Sequence, residues 1–209
     1  MSDKINLKEM EQQAYRLLTK DGLMELLMGA ILFVTSSSFS GTPIFTPFLG
    51  LYVIFLKNII EGFRKRFTYP RIGYLKLPDE DSKKIGVGIL TFMGAIMLAL
   101  AVVIYLIYGR ISGDLVYKWI PLLMGLIFFG GLQYNYSKSG DKVNLVYIAI
   151  TVGAGLIFSL LDFPSPRDGP LIYMLLMSAM FVLSGTIRFL KFRRDYPLNP
   201  LTEGAEVDE

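Results

Sequence analysis

The stretch Arg64-Lys65-Arg66-Phe67-Thr68-Tyr69-Pro70-Arg71-Ile72-Gly73-Tyr74-Leu75-Lys76-Leu77 decides how the rest of the chain is read. It interleaves basic and aromatic residues, and it stands between apolar runs long enough to cross a bilayer. Those runs mark where a membrane would lie, and the charges mark one side of it.

Working outward, the composition agrees. The 209 residues are 53% hydrophobic with a mean hydropathy of +0.48, too apolar for an ordinary soluble domain. Cysteine and histidine are absent. That removes disulfides, thiolate sites and the commonest metal ligand and general base, so no metal and no cofactor is expected. The net charge of +3 says little; the placement of the charges says more.

Apolar runs at about 23–39, 46–62, 85–108, 116–134, 143–161 and 171–190 each approach the roughly 20 residues that span about 30 Å of hydrocarbon. The expectation is an all-α integral membrane bundle of six transmembrane helices. An arm over residues 1–20, with Ile5, Leu7, Met10, Ala14, Leu17 and Leu18 at helical spacing, predicts an amphipathic helix, either on the membrane surface or free in the cytosol. A secretory signal peptide fits poorly, because that arm is long and carries acidic as well as basic residues. Residues 196–209 form a short acidic cytosolic tail.

Basic residues collect before span one, between spans two and three, between spans four and five, and after span six. The remaining connections hold only Arg110, Lys118 and Arg167. The positive-inside rule therefore predicts both termini in the cytoplasm, in a multi-pass protein of the plasma membrane. Gly29, Gly94 and Gly153 in the outgoing spans, with Gly62, Gly131 and Gly185 in the return spans, suggest three repeated helical hairpins. Gly-Ala pairs are also common in membrane helices for packing reasons alone. Aromatics near the span ends, among them Tyr105, Tyr108, Tyr117 and Trp119 on one side and Phe63, Phe67, Tyr134, Tyr147 and Phe192 on the other, predict interfacial belts.

Ionisable groups in apolar helices are costly, so Glu25, Lys57, Asn58 and Glu61 are the intramembrane polar candidates. Glu25 and Lys57 fall at one depth, which allows an ion pair; snorkelling of each to the headgroups is the alternative. Arg64, Lys65, Arg66, Tyr69, Arg71, Tyr74 and Lys76 are the candidates for contact with cytosolic headgroups or a partner. Pro70 and the alternation after it predict a short extended or hairpin segment lying on the inner leaflet. The carboxylates Asp79, Glu80 and Asp81 read as a solvated turn, and the glycine pairs lie inside apolar helix, away from any strand that a nucleotide fingerprint needs. No catalytic constellation emerges.

Two motifs, Asp21-Gly22-Leu23-Met24-Glu25 and Thr68-Tyr69-Pro70-Arg71-Ile72-Gly73-Tyr74, together resemble an uncharacterised prokaryotic multi-pass membrane protein family. The resemblance covers roughly the first 80 residues. It implies a similar amphipathic arm and a TYPRxGY-like loop after the second span, and it implies no activity. The expected function is that of a non-enzymatic membrane component that binds anionic lipid headgroups or a protein partner, including a second copy in a homo-oligomer, and no nucleic acid. The alternative is a small-solute transporter or channel, which six spans in three repeats would furnish with a central pathway.

Overall fold

The computed structural model describes residues 7–41, 58–73 and 82–197, with side chains described from residue 12 and, after the second gap, from residue 87. Helix α1 runs Leu7–Thr19, and α2 runs Leu23–Ser36 and tightens into a 3₁₀ turn at Ser37–Phe39. A helical segment over 58–72, here α3, contains a π turn at Arg64–Thr68 and one α turn at Tyr69–Ile72. Then come α4 (Ser82–Tyr108), α5 (Gly113–Ser139), α6 (Val143–Leu160) and α7 (Asp168–Asp195). The described residues contain no strand, so the all-α expectation holds.

Among the described residues four helices are long and apolar enough to cross a membrane: Val87–Tyr108 of α4, then α5, α6 and α7. Gln12–Thr19 and Leu23–Phe39 qualify as a fifth only together, as a pair bent by 54°. The runs expected at 23–39, 85–108, 116–134, 143–161 and 171–190 all fall on helices. The run at 46–62 lies outside the described residues except for 58–62, which is helical.

Two tight crossings build the bundle. In the first, α2 meets α7. A Cβ on Gly185 would stand 2.7 Å from the Leu26 nitrogen and 2.9 Å from the Gly22 carbonyl oxygen; one on Gly29 would stand 3.0 Å from the Ser178 carbonyl oxygen. Only glycine lets the backbones approach so closely, and the Ser178 hydroxyl uses the proximity to donate to the Gly29 carbonyl at 2.8 Å. In the second, α5 meets α6. Pro121 inside α5 disrupts the helical ladder. The buried Ser159 hydroxyl of α6 accepts the Leu122 N–H at 3.1 Å, and Gly155 leaves room for the Pro121 carbonyl, which a Cβ would meet at 2.7 Å.

The core between these pairs is apolar and aromatic: Leu32 of α2, Leu132 of α5, Tyr147 of α6, and Tyr173, Met174, Met177 and Phe181 of α7. Helix α7 is the most enclosed of the four long helices and α4 the least. The glycines that suggested a repeat do not share one role. Gly29 and Gly185 sit in the α2–α7 crossing, whereas a Cβ on Gly62, Gly94, Gly131 or Gly153 would meet nothing within 4 Å.

Two sequence expectations need correction. Arg64–Ile72 is helical, with Tyr69 at φ −63°, ψ −36°, so neither Tyr69 nor Arg71 is extended. The π turn at Arg64–Thr68 ends one helical stretch and starts a new one, which puts Pro70 in a first turn, where a missing N–H leaves no ladder bond unmade. Gly73, at φ 83°, then ends the helix; Tyr74 and Lys76 lie outside the described residues. Secondly, Trp119, Tyr147 and Phe192, expected at an interface, are buried. The Tyr147 ring packs edge-on against Phe181 of α7, and Phe192 of α7 packs on Tyr196 just past the helix end.

Candidate functional site

The first turn of α2, the last turns of α5 and α7, and the start of α6 lie at one end of the bundle, and three charged side chains meet there. Asp21-Gly22 ends α1 and turns the chain into α2; the turn needs Gly22 at φ 70°, with the α7 backbone against it. This places Glu25 one turn into α2, 7% exposed. Arg188 of α7 reaches it with Nη1 3.1 Å from Oε1. The other guanidinium nitrogen, Nη2, donates to Asp141 Oδ2 at 2.7 Å and to the Thr19 carbonyl at 3.0 Å. One arginine thus joins the end of α1, the start of α2, the α5–α6 turn and α7.

Asp141 also caps α6, accepting the Val143 N–H at 3.1 Å. Its partial burial opposes ionisation, yet the Arg188 hydrogen bond, the Val143 N–H and the charges of Arg188 and Arg16 outweigh it and hold the carboxyl below its ordinary value.

A second knot lies beside the first. Asp21 is fully buried. Its Oδ1 accepts the Leu23 N–H at 3.1 Å, and its Oδ2 accepts the Thr68 hydroxyl at 3.0 Å and lies 3.6 Å from Arg64 Nε. Arg64 also donates to the Leu18 carbonyl at 3.4 Å. Burial pushes the Asp21 carboxyl up; Arg64, the Leu23 N–H, Thr68 and Arg188 pull the other way without cancelling it. Seven residues on, Arg71 donates to the Arg193 carbonyl at 3.2 Å and the Tyr196 carbonyl at 2.7 Å, a cation on the C-terminal carbonyls of α7. The segment from Arg64 to Arg71 is therefore a strap that ties α3 to α1 and α7.

Of the intramembrane candidates, Glu25 is buried and ion-paired, but to Arg188; Lys57 lies outside the described residues. Asn58 is exposed, and Glu61 makes a surface pair with Lys65 at 3.8 Å. Of the headgroup candidates, Arg64 and Arg71 are turned inward to protein partners, and Tyr69 is half-buried. Lys65 and Arg66 remain exposed, with the Arg66 guanidinium 5.6 Å from the Phe67 ring centre.

Sequence reading missed Asp21, Asp141 and Arg188 as a group. Arg188 offered a signal, since it falls inside the apolar run 171–190, where an unpaired charge is costly. The two aspartates lie in turns and offered none.

Chemically, the cluster is closed but not fully satisfied: Glu25 Oε2 and Arg188 Nη1 are buried without a hydrogen bond, the latter held only by its ion pair with Glu25 Oε1. The space between Glu25, Asn135, Asp141, Asn144, Tyr147 and Arg188 is about 10 Å³, room for no more than one water. Among the described residues no set of three metal-ligating side chains comes together. No protein-family model, no curated protein and no solved structure matches the chain.

Proposed function

We propose that this chain is a non-enzymatic six-span protein of the plasma membrane, with both termini cytosolic, whose charged cytosolic end binds anionic lipid headgroups or a partner protein. One observation carries the reading. The described ionic groups gather at one end of the bundle and at its opposite rim, while the middle is closed by Leu32, Tyr173, Met174, Met177 and Phe181. Polar groups within the middle are bonded to protein carbonyls: Thr151 donates to the Tyr147 carbonyl at 2.8 Å within α6, and Tyr173 of α7 to the Thr151 carbonyl at 3.1 Å. A solute pathway needs polar groups or broken helices free to face a cavity at that depth, and the described residues supply none. The sixth span is assigned to the apolar run at 46–62, and the skew of Lys and Arg supports the orientation.

The test has two arms. Purified protein offered mixed lipids retains anionic lipid in preference to zwitterionic lipid, or carries a stoichiometric protein partner. Reconstituted vesicles take up no solute above the protein-free rate. Saturable uptake of any ion or small solute, with no lipid preference and no partner, overturns the reading in favour of a transporter. For orientation, single cysteines at Ser40 and Ser165 in this cysteine-free chain are expected to react only from outside; labelling from the cytoplasmic face alone defeats the topology.

A further inference from the structure

A cavity of about 470 Å³ opens at the charged end between the start of α6 and the last turns of α7. Lys20, Lys191, Val143, Ile187, Phe192 and Tyr196 are among the residues that line it. Its charges are unevenly committed. Arg188 is held by Glu25 and Asp141, and Asp195 lies 3.6 Å from Arg194. The ammonium groups of Lys20 and Lys191 have no hydrogen bond or ion pair among the described residues, and both side chains are exposed. The lining thus has three cations against two anions, with its two uncommitted charges both positive. The volume suits a headgroup, being within the range of small-ligand sites.

Apolar stripes lead away from the cavity along the bundle. On α6, Val143, Val146 and Ile150 are exposed at helical spacing; on α7, Ile187 and Leu183 are exposed one turn apart. Val143 and Ile187 belong to both the cavity and the stripes. Arg71 donates to the carbonyl of the lining residue Tyr196, which gives the TYPR segment a positioning part in the same site.

We propose that this cavity seats the phosphodiester headgroup of an anionic phospholipid between Lys20 and Lys191, with its acyl chains lying along the Val143–Ile150 and Leu183–Ile187 stripes. The assignment rests on the membrane-embedded, lipid-binding reading above and gives that reading a site. The apolar stripes select a lipid over a soluble phosphate, which would find no use for them.

The test offers phosphatidylglycerol or phosphatidylcholine vesicles to detergent-purified full-length protein and measures retained lipid by native mass spectrometry. Each lysine facing a headgroup is worth roughly fivefold in affinity before screening, so Lys20→Gln with Lys191→Gln is expected to lower phosphatidylglycerol preference by about twenty-fivefold. The charge-matched pair Arg110→Gln with Arg167→Gln, at the opposite end, is expected to leave it unchanged. Ile187→Trp, which fills the cavity without changing charge, is expected to lower it too. Unaltered preference in the lysine pair overturns this site. If Lys65→Gln with Arg66→Gln then abolishes the preference, the broader lipid reading stands with a different seat. Equal retention of both lipids by the wild type overturns the lipid reading itself. Thermal stabilisation by inorganic phosphate or glycerophosphate matching that by phosphatidylglycerol overturns the lipid as occupant.

Discussion

The two ends of the bundle use the same chemistry to different effect. At one end, Arg188 is enclosed with Glu25 and Asp141; at the other, Lys118 of α5 meets Asp162 at 2.5 Å across the end of α6. Both are cation–carboxylate contacts at short range, but side-chain exposure is 15% for Arg188 and 90% for Asp162. Short distance alone is a poor guide to importance. What separates the two ends is whether water can replace a lost partner, and how many elements depend on the contact.

The largest test of that difference removes Arg188. Arg188→Ala leaves Glu25 and Asp141 facing each other without their cation and strips the Thr19 carbonyl of its donor. Leaving a buried charge uncompensated costs about 3–5 kcal/mol. The expected outcome is a large drop in thermal midpoint in detergent, with Glu25→Gln in the same background restoring part of it. A midpoint within error of wild type would show that the buried end is no more coupled than the exposed one.

Next in size is the packing that brings the buried end together. Gly185→Val puts methyl groups into the Leu26 nitrogen and the Gly22 carbonyl, and overpacking of this kind costs about 1–3 kcal/mol. Gly153→Val, on a face with nothing within 4 Å, is expected to be nearly neutral. Equal effects of the two on the unfolding midpoint would restore the idea that the glycines of the three hairpins do equivalent work.

This contrast also marks what was legible in the sequence. Helix positions were, because runs of twenty apolar residues leave few alternatives and because turns such as Ser139-Gly140-Asp141 punctuate them. The use of each glycine was not, since spacing along one helix says nothing about which helix lies opposite; Gly29 meets α7, from the far end of the chain. The same limit hid Arg188. It stands with the basic residues at the end of the last apolar run, as Arg64 and Arg71 stand after the second. A positive charge at the end of a span reads alike whether it faces lipid headgroups or a carboxylate 163 residues earlier. Helicity through Pro70 was missed because a π turn just ahead of it resets the hydrogen-bond ladder.

Acid separates the buried Asp21 from the partly buried Asp141, both outside the spans. Asp141 has a folded-state value below its ordinary 3.8, so its contribution is present at neutral pH and is lost as pH falls below 3.8 through the folded value. Asp21 is raised by burial, so its sign is opposite: ionisation costs the folded state, and the cost is relieved as pH falls through the raised value toward 3.8. Thermal midpoints followed from neutral pH down through the carboxylate range are expected to fall less in Asp141→Asn than in wild type, from a lower starting point. In Asp21→Asn the acid loss is expected to be steeper than in wild type. Identical slopes in all three proteins would mean that neither carboxylate senses its surroundings.

The smallest effect belongs to the exposed end. Lys118 bridges from α5 to the end of α6, and the contact closes one rim of a cavity lined by Leu115, Phe158 and Phe163. With Asp162 so exposed, Asp162→Asn replaces a screened ion pair by a water-mediated or amide contact, a change of about 0–1 kcal/mol. The expected shift in midpoint is small and vanishes at high salt, because screening acts on exposed pairs and much less on enclosed ones. The double-mutant cycle of Asp162→Asn with Lys118→Gln is the sharper measurement, since it isolates the pair from each residue's other contacts. A coupling energy there as large as that of Arg188 with Glu25 would mean that geometry, and not enclosure, sets the worth of an ion pair in this bundle.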